Sequence, residues 1–230
     1  MNVLGTYVIA TTKSWNIDNV KKLRKKYSHE EFYLITDKNE LVLDFLDNKK
    51  PEYIFFPHWS WIIPPEIYEK YKCVVFHMTD LPFGRGGSPL QNLIVRGIYE
   101  TKVSAIAVEN GVDTGPVYFK EPINISQGNA DCILTMISDI IFEKMIPRFI
   151  LDNPKPSRQV GEEVVFKRRT EKDSKIPEGL TQRQIYDYIR MLDGEGYPLA
   201  YKDVGNLRIY FKNARLQEDQ VVAETIITRR

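Results

Sequence analysis

The first 77 residues alternate short apolar runs with helically spaced segments, and this alternation constrains the fold more than any other feature of the chain. Residues 3–11 are apolar and β-branched with no helical period, which predicts a buried strand. Residues 16–27 place Ile17, Val20, Leu23 and Tyr27 at helical spacing, opposite a basic face of Lys21, Lys22, Arg24, Lys25 and Lys26. Residues 32–36, 53–56 and 73–77 read as further strands. A helix fits 39–47, and a shorter one starts near Pro65, where proline suits a first turn. Strands separated by helices pair through crossovers, so the pattern predicts an α/β fold: a Rossmann-like, mostly parallel sheet with helices on both faces.

Beyond this region, residues 88–97 read as a helix capped by Ser88 with Pro89 in its first turn. Residues 102–109 and 116–125 are two strands joined by the turn at 110–115, and 130–150 carry a long apolar helical pattern. Residues 153–175 are polar and contain proline, which reads as a linker wrapping the main domain. Residues 181–192 form an amphipathic helix capped by Thr181, followed by short strands at 199–203, 207–212 and 221–227. The expected organisation is a main domain over 1–152, a linker over 153–178 and a small helix-plus-strands subdomain over 179–230. Tyr186, Arg190, Tyr197 and Tyr201 suit stacking on a base or sugar, or packing of that subdomain against the sheet, which is the expectation.

A chain of 230 residues with 43% hydrophobic content can bury a sizeable core. Its net charge of +1 lends no bulk support to a nucleic-acid partner, although a local basic patch is compatible with it. Cys73 and Cys132 lack metal or disulfide spacing and sit among apolar neighbours, so inert buried thiols are expected. No apolar run reaches membrane-span length, and residues 1–5 lack a signal-peptide pattern; a cytoplasmic setting without membrane attachment is the expectation. Neither a dinucleotide glycine fingerprint nor a P-loop occurs.

The chemistry-bearing stretch is His77-Met-Thr-Asp-Leu-Pro-Phe-Gly-Arg-Gly-Gly-Ser-Pro-Leu-Gln91, with Val112-Asp113-Thr114-Gly115 downstream. A histidine that ends a strand lies at the carboxyl edge of the sheet, where open α/β sheets bind ligands. Histidine moves protons near neutral pH, and a nearby aspartate favours and orients the imidazolium. The glycines at 84, 86 and 87 let backbone approach a ligand, and their N–H groups suit an anion or a developing oxyanion. The aromatic string Phe55, Phe56, Trp59 and Trp61 suits either core packing or a flat ring, with the two tryptophans better placed for a ligand.

These segments resemble the folate-dependent formyltransferase family, whose core motif is roughly Asn-x-His-x-Ser-Leu-Leu-Pro-x-x-Arg-Gly-x-x-Pro-x-Gln, with Leu-Asp-Thr-Gly downstream. His77, Leu81, Pro82, Arg85, Gly86, Pro89 and Gln91 match the first motif, and Val112–Gly115 nearly matches the second. Ile63-Pro64-Pro65-Glu66 and Phe166-Lys-Arg-Arg-Thr170 with Ile176 extend the resemblance over most of residues 1–176.

The resemblance implies 10-formyltetrahydrofolate as co-substrate, no metal, and His77 and Asp113 as the catalytic pair. Trp59, Trp61, Ile62, Val108, Gly111 and Val112 would hold the pterin. Lys13, Trp15, Asp80, Arg85 and Gly86 are the substrate-binding candidates. The family asparagine two residues before the histidine is replaced here by Val75. His58, Asn92, Asn110 or backbone N–H groups near Gly86 are candidate substitutes.

Three acceptor branches compete: methionyl-tRNA, glycinamide ribonucleotide and nucleotide-linked amino sugars. A short tail that is not basic over 216–224 favours the sugar branch. The loop after His77 is similar to that of pseudaminic-acid pathway enzymes, which implies UDP-4-amino-4,6-dideoxy-N-acetyl-β-L-altrosamine as acceptor and no nucleic-acid partner. A homodimer through the strand-rich tail is compatible with the sequence. A non-catalytic folate or sugar-nucleotide binder and a formyltetrahydrofolate hydrolase are the other classes that fit.

Overall fold

A computed structural model describes residues 4–230; Met1, Asn2 and Val3, the start of the first expected strand, lie outside the described residues. In chain order the main domain contains β1 (Thr6–Ala10), α1 (Ser14–Lys26), β2 (Glu31–Ile35), α2 (Leu43–Lys49), β3 (Tyr53–Phe56), α3 (Pro65–Tyr68) and β4 (Cys73–His77). It continues with β5 (Phe83–Gly86), α4 (Pro89–Ile94), β6 (Glu100–Ala107), β7 (Val117–Asn124), α5 (Ala130–Ile140) and α6 (Ile146–Asp152). The remainder holds β8 (Val164–Phe166), α7 (Gln182–Arg190), β9 (Ala200–Val204), β10 (Leu207–Leu216) and β11 (Val221–Arg229).

Six strands form the main sheet in the order β2-β1-β3-β4-β6-β7. The first four run parallel, as the strand–helix alternation requires, and β6 and β7 close the sheet as an antiparallel pair. Successive strand residues face opposite sides, so the sheet is covered twice. Ile9, Phe55, Val74 and Phe76 pack with residues of α1 and α5 on one face, and Val8, Ala10, Ile54, Phe56 and Cys73 with those of α2 and α3 on the other. Phe55 and Phe56 are both 0% exposed, so they belong to the core and not to a ligand face. Burying a ring of that size contributes about 2–3 kcal/mol.

Some expected elements take a different form. The helix expected over 39–47 begins later, at Leu43, because Asp37 and Glu40 cap each other's backbone in a short 3₁₀ turn at Lys38–Glu40. The apolar helix over 130–150 is interrupted by a π turn at Ile141–Met145, immediately before Pro147 removes a backbone donor. Ser88 precedes α4 but does not cap it; its Oγ accepts from the Arg169 N–H at 3.1 Å. Cys73 is buried, which pushes its thiol up to about 12, whereas Cys132 is exposed, contrary to expectation, because it lies on the outer face of α5.

The segment after α6 returns across the main domain. Ser157 pairs with Val117 in an isolated bridge, and β8 lies parallel to β5, with Phe83 opposite Val164 and Gly86 opposite Phe166. The tail is α7, capped reciprocally by Thr181 and Gln184, beside the antiparallel sheet β11-β10-β9. Tyr186, Arg190 and Tyr201 are buried there. Asp187 accepts from Arg190 Nε at 2.6 Å, Arg183 Nε at 2.9 Å and the Tyr99 hydroxyl at 2.5 Å, while Arg190 Nη1 donates to the Gly128 carbonyl at 2.9 Å. The two arginine–aspartate pairs lie within α7, while the Tyr99 and Gly128 bonds fasten that helix to the entries of β6 and α5. Among the described residues no helix is long and apolar enough to cross a membrane.

Candidate active site

His77 closes β4, pairs with Ser104 of β6 in the sheet register and is only 7% exposed. Its Nε2 lies 2.8 Å from the Gly84 carbonyl, and its Nδ1 lies 3.4 Å from Asp113 Oδ1. Both neighbours are oxygen acceptors, so either ring nitrogen has an acceptor in place for an N–H. The sequence-predicted pair is therefore brought together. Asp113 reaches this position from the turn between β6 and β7 with φ of 55°, a left-handed conformation that is uncommon for a residue with a side chain. Its other oxygen, Oδ2, accepts from the Gly86 N–H at 2.9 Å.

The glycine loop has a different role from the one expected. The Gly86 N–H is engaged by Asp113, and the Gly87 N–H donates to the Phe166 carbonyl at 3.1 Å. A Cβ on Gly84 would lie 2.8 Å from the Phe166 ring and from Thr79, and one on Gly87 would lie 2.5 Å from Arg168 Cβ. These glycines admit the protein's own returning segment rather than a ligand. Gly86 consequently offers no free backbone donor for the oxyanion or the substrate.

The other substrate-binding candidates are also committed internally. Arg85 donates through Nε and Nη2 to Gln159 Oε1 at 3.1 and 2.8 Å and pairs with Glu163 at 2.9 Å. Asp80 pairs with Lys120 at 2.5 Å and Lys102 at 3.0 Å. Burial pulls its carboxyl upward, but the two lysines outweigh this and hold it below its ordinary value. Lys13 and Trp15 sit together at the start of α1, the ammonium 5.3 Å from the indole ring. Thus Lys13 and Trp15 remain at the sheet edge, while Asp80 and Arg85 are braces.

Of the residues expected around a pterin, Trp59 packs on Phe56 and Trp61, with ring centroids 5.9 and 4.8 Å apart. Ile62 and Val112 are exposed, and Gly111 turns at φ of 115° against Thr114. Val108 lines a cavity of about 580 Å³ with Pro65, Tyr68, Glu69, Ala107 and Asn110, a size that suits a flat heterocycle. A second cavity of about 530 Å³ lies behind the Asp113 turn, against Arg85, Thr114, Arg158 and Gln159. Among the described residues no group of three His, Cys, Asp or Glu side chains could hold a metal.

Val75, where the related motif has asparagine, is half-buried between Phe56 and Ile106. Asn92 cannot replace that amide, because its Nδ2 donates to the Gly87, Ser88 and Lys167 carbonyls. His58 is held by Asn16, and burial, helped by Lys13, lowers its pKa to about 4. Asn110 is exposed and lines the 580 Å³ cavity. Gln159, which the sequence reading missed, bridges Arg85 and the Asp113 turn.

Comparison with known proteins gives two family matches: "Formyl transferase" over residues 14–136 and "Methionyl-tRNA formyltransferase, C-terminal domain" over 171–228. A solved methionyl-tRNA formyltransferase from Clostridium thermocellum is 50% identical, covers 99% of this chain and 100% of its own, and superposes with a TM-score of 0.94. A methionyl-tRNA formyltransferase of Thermodesulfovibrio yellowstonii is 27% identical over 83% of this chain, which spans 63% of that relative's length. A sugar N-formyltransferase from Shewanella is 14% identical, covering 93% of this chain and 99% of its own with a TM-score of 0.72, a likeness of fold.

These findings overturn the expected nucleotide-sugar acceptor and the exclusion of nucleic acid. The short tail, taken to favour the sugar branch over the tRNA branch, is the very segment that the second family match covers. Net charge misled because it averages over the surface. Exposed Lys25 and Lys26 on α1, and Lys167 and Arg168 beside the glycine loop, are offset by acids elsewhere.

Proposed function

The chain belongs to the formyl transferase family, and we propose that it moves a formyl group from 10-formyltetrahydrofolate to the α-amino group of methionyl-tRNA. The observation that carries the acceptor is the full-length, 50% identical match to the Clostridium thermocellum protein. The folate supplies the activated formyl group, and the cavity beside Val108 is the space for its ring.

As the amine attacks the formyl carbon, negative charge grows on the formyl oxygen. His77 answers that charge. Asp113 sets its ring on the Nδ1 side, and Nε2, which lies 2.8 Å from the Gly84 carbonyl, turns from that carbonyl to the formyl oxygen, in a buried setting where a hydrogen bond to a growing charge acts more strongly than in water. The same ring serves proton transfer towards the departing folate nitrogen. With Val75 unable to donate, the Asn110 amide is the side chain proposed to supply the second hydrogen bond. Lys25, Lys26, Lys167 and Arg168 are placed to meet phosphates, so binding of the tRNA should weaken as salt rises.

The test is formylation of charged tRNA by the purified chain, read by mass spectrometry of the released amino acid. Formyl-methionine is expected. No product with methionyl-tRNA would overturn the acceptor. His77→Ala should lower the rate about 10³-fold while folate binding persists. An undiminished rate would remove His77 from the chemistry and leave the chain's fold assignment untouched.

A further inference from the structure

We propose that Gln159 is a positioning residue for the reaction above: its carboxamide holds the Asp113 turn so that the carboxylate stays on His77. The inference rests on that reaction and extends it to a residue of the returning segment, outside the strands that carry the catalytic pair. Gln159 Nε2 donates to the carbonyls of Asp113 and Gly115, both at 2.8 Å. The two hydrogens of the amide are thereby used, one on each side of Thr114. Its Oε1 accepts from Arg85 at 2.8 and 3.1 Å, and Arg85 is closed by Glu163.

This orientation is fixed by chemistry. A flipped amide would set its oxygen against two carbonyl oxygens and its NH₂ against a guanidinium. Gln159 itself is pinned on both sides, by the Ser157–Val117 bridge before it and by the β5–β8 pairing after it. What it secures is a turn with a reason to relax, since Asp113 is left-handed without being glycine. Release of the two carbonyls would let the turn drop to a right-handed conformation, taking Oδ1 from His77 and Oδ2 from the Gly86 N–H. Arg85 therefore contributes to the site through Gln159 and not through the substrate.

Two substitutions separate the contacts. Gln159→Leu removes all of them. Gln159→Glu keeps an acceptor for Arg85 but offers no N–H to the carbonyls, and it carries the test if the leucine variant does not fold. Both should lower kcat about tenfold, since small misplacements of catalytic groups have large effects on rate. The KM values for folate and methionyl-tRNA should change less than about twofold. In an Asp113→Asn background Gln159→Leu should add little, because both act on one contact. Wild-type kcat in Gln159→Glu, an effect confined to KM, or full additivity with Asp113→Asn would each overturn the proposal.

A readout that needs no acceptor keeps it separate from the assigned reaction. The chain has three histidines, so ¹⁵N-histidine spectra resolve the His77 ring. Its signals should move in Gln159→Leu while those of His29 stay. Unmoved His77 signals would sink the proposal, whether or not methionyl-tRNA is the acceptor. Failure of the wild-type chain to formylate methionyl-tRNA, with the His77 signals displaced as expected, would sink the acceptor alone.

Discussion

Around β4 the polar groups are engaged with one another, whereas beyond β1 and β3, on the same edge of the sheet, several buried donors meet nothing. On the first side His77, Asp113, Gly86, Gly87, Asn92 and Gln159 all have partners within the protein. On the second, Nε1 of Trp15, Nε2 of His58 and Nε1 of Trp59 are buried without a hydrogen-bond partner. The His58 tautomer follows from its neighbour. Asn16 Nδ2 also donates to the Thr11 hydroxyl and the Pro57 carbonyl, so it is the amide nitrogen and cannot accept, and a neutral His58 facing it carries no hydrogen on Nδ1. The proton then sits on Nε2, as a donor without an acceptor. Each such buried donor costs about 1–3 kcal/mol. The difference teaches that the reacting edge is set in advance, while the neighbouring edge carries unmet hydrogen-bonding capacity.

The most severe way to break this contrast is to disturb the engaged side. A Cβ on Gly115 would lie 1.8 Å from the Ala107 carbonyl. Gly115→Ala should therefore destabilise by about 3 kcal/mol, lowering Tm by about 10 °C. A loss under about 1 kcal/mol would mean that the turn yields easily and that its tight packing does not set the site.

The next effect lies on the other side and depends on pH. The folded chain holds His58 at about 4 against an ordinary value of 6.5, so the unfolded chain takes up the proton first as pH falls. The resulting stability is fully present above 6.5 and is lost as pH drops towards 4. His58→Asn suits the left-handed backbone there, at φ of 51°, and should flatten that slope in urea denaturation measured across the window. An equal slope in both proteins would contradict a neutral, buried His58.

The smallest expected effect is also the sharpest test of an unmet donor. Trp59→Phe removes one N–H, so stability should hold or rise by about 1 kcal/mol, the size of one unsatisfied group. A fall beyond about 1 kcal/mol in calorimetry would show that Trp59 has a partner in solution, or that its packing on Phe56 and Trp61 dominates.

The parallel core and the His77–Asp113 pair are legible in the sequence for related reasons. Apolar runs reveal strands, and a strand that ends in histidine delivers it to the ligand edge. The antiparallel return of β6 is harder to read, since direction depends on connections and not on residue pattern. Gln159 leaves no trace at all. It lies 46 residues from Asp113, in a polar stretch where nothing distinguishes one amide from its neighbours. The glycines at 84 and 87 reveal a need for space without revealing that Phe166 and Arg168 fill it. The acceptor was misjudged for a similar reason: a net charge of +1 carries no information on where lysines gather, and a tail's length does not disclose what it contacts.

The knot of Asp187, Arg190 and Tyr99 bears on how far apart things are kept. An ion pair with partners 4% and 1% exposed is not casually opened, because loss of either member strands a charge away from water. That pair lies within α7, and its hold on the main domain comes from the Tyr99 hydroxyl on Asp187 and from Arg190 on the Gly128 carbonyl, which keep the helix beside the small sheet in place. Any acceptor large enough to touch both that sheet and the histidine meets two fixed jaws of a caliper, and must itself have the right span.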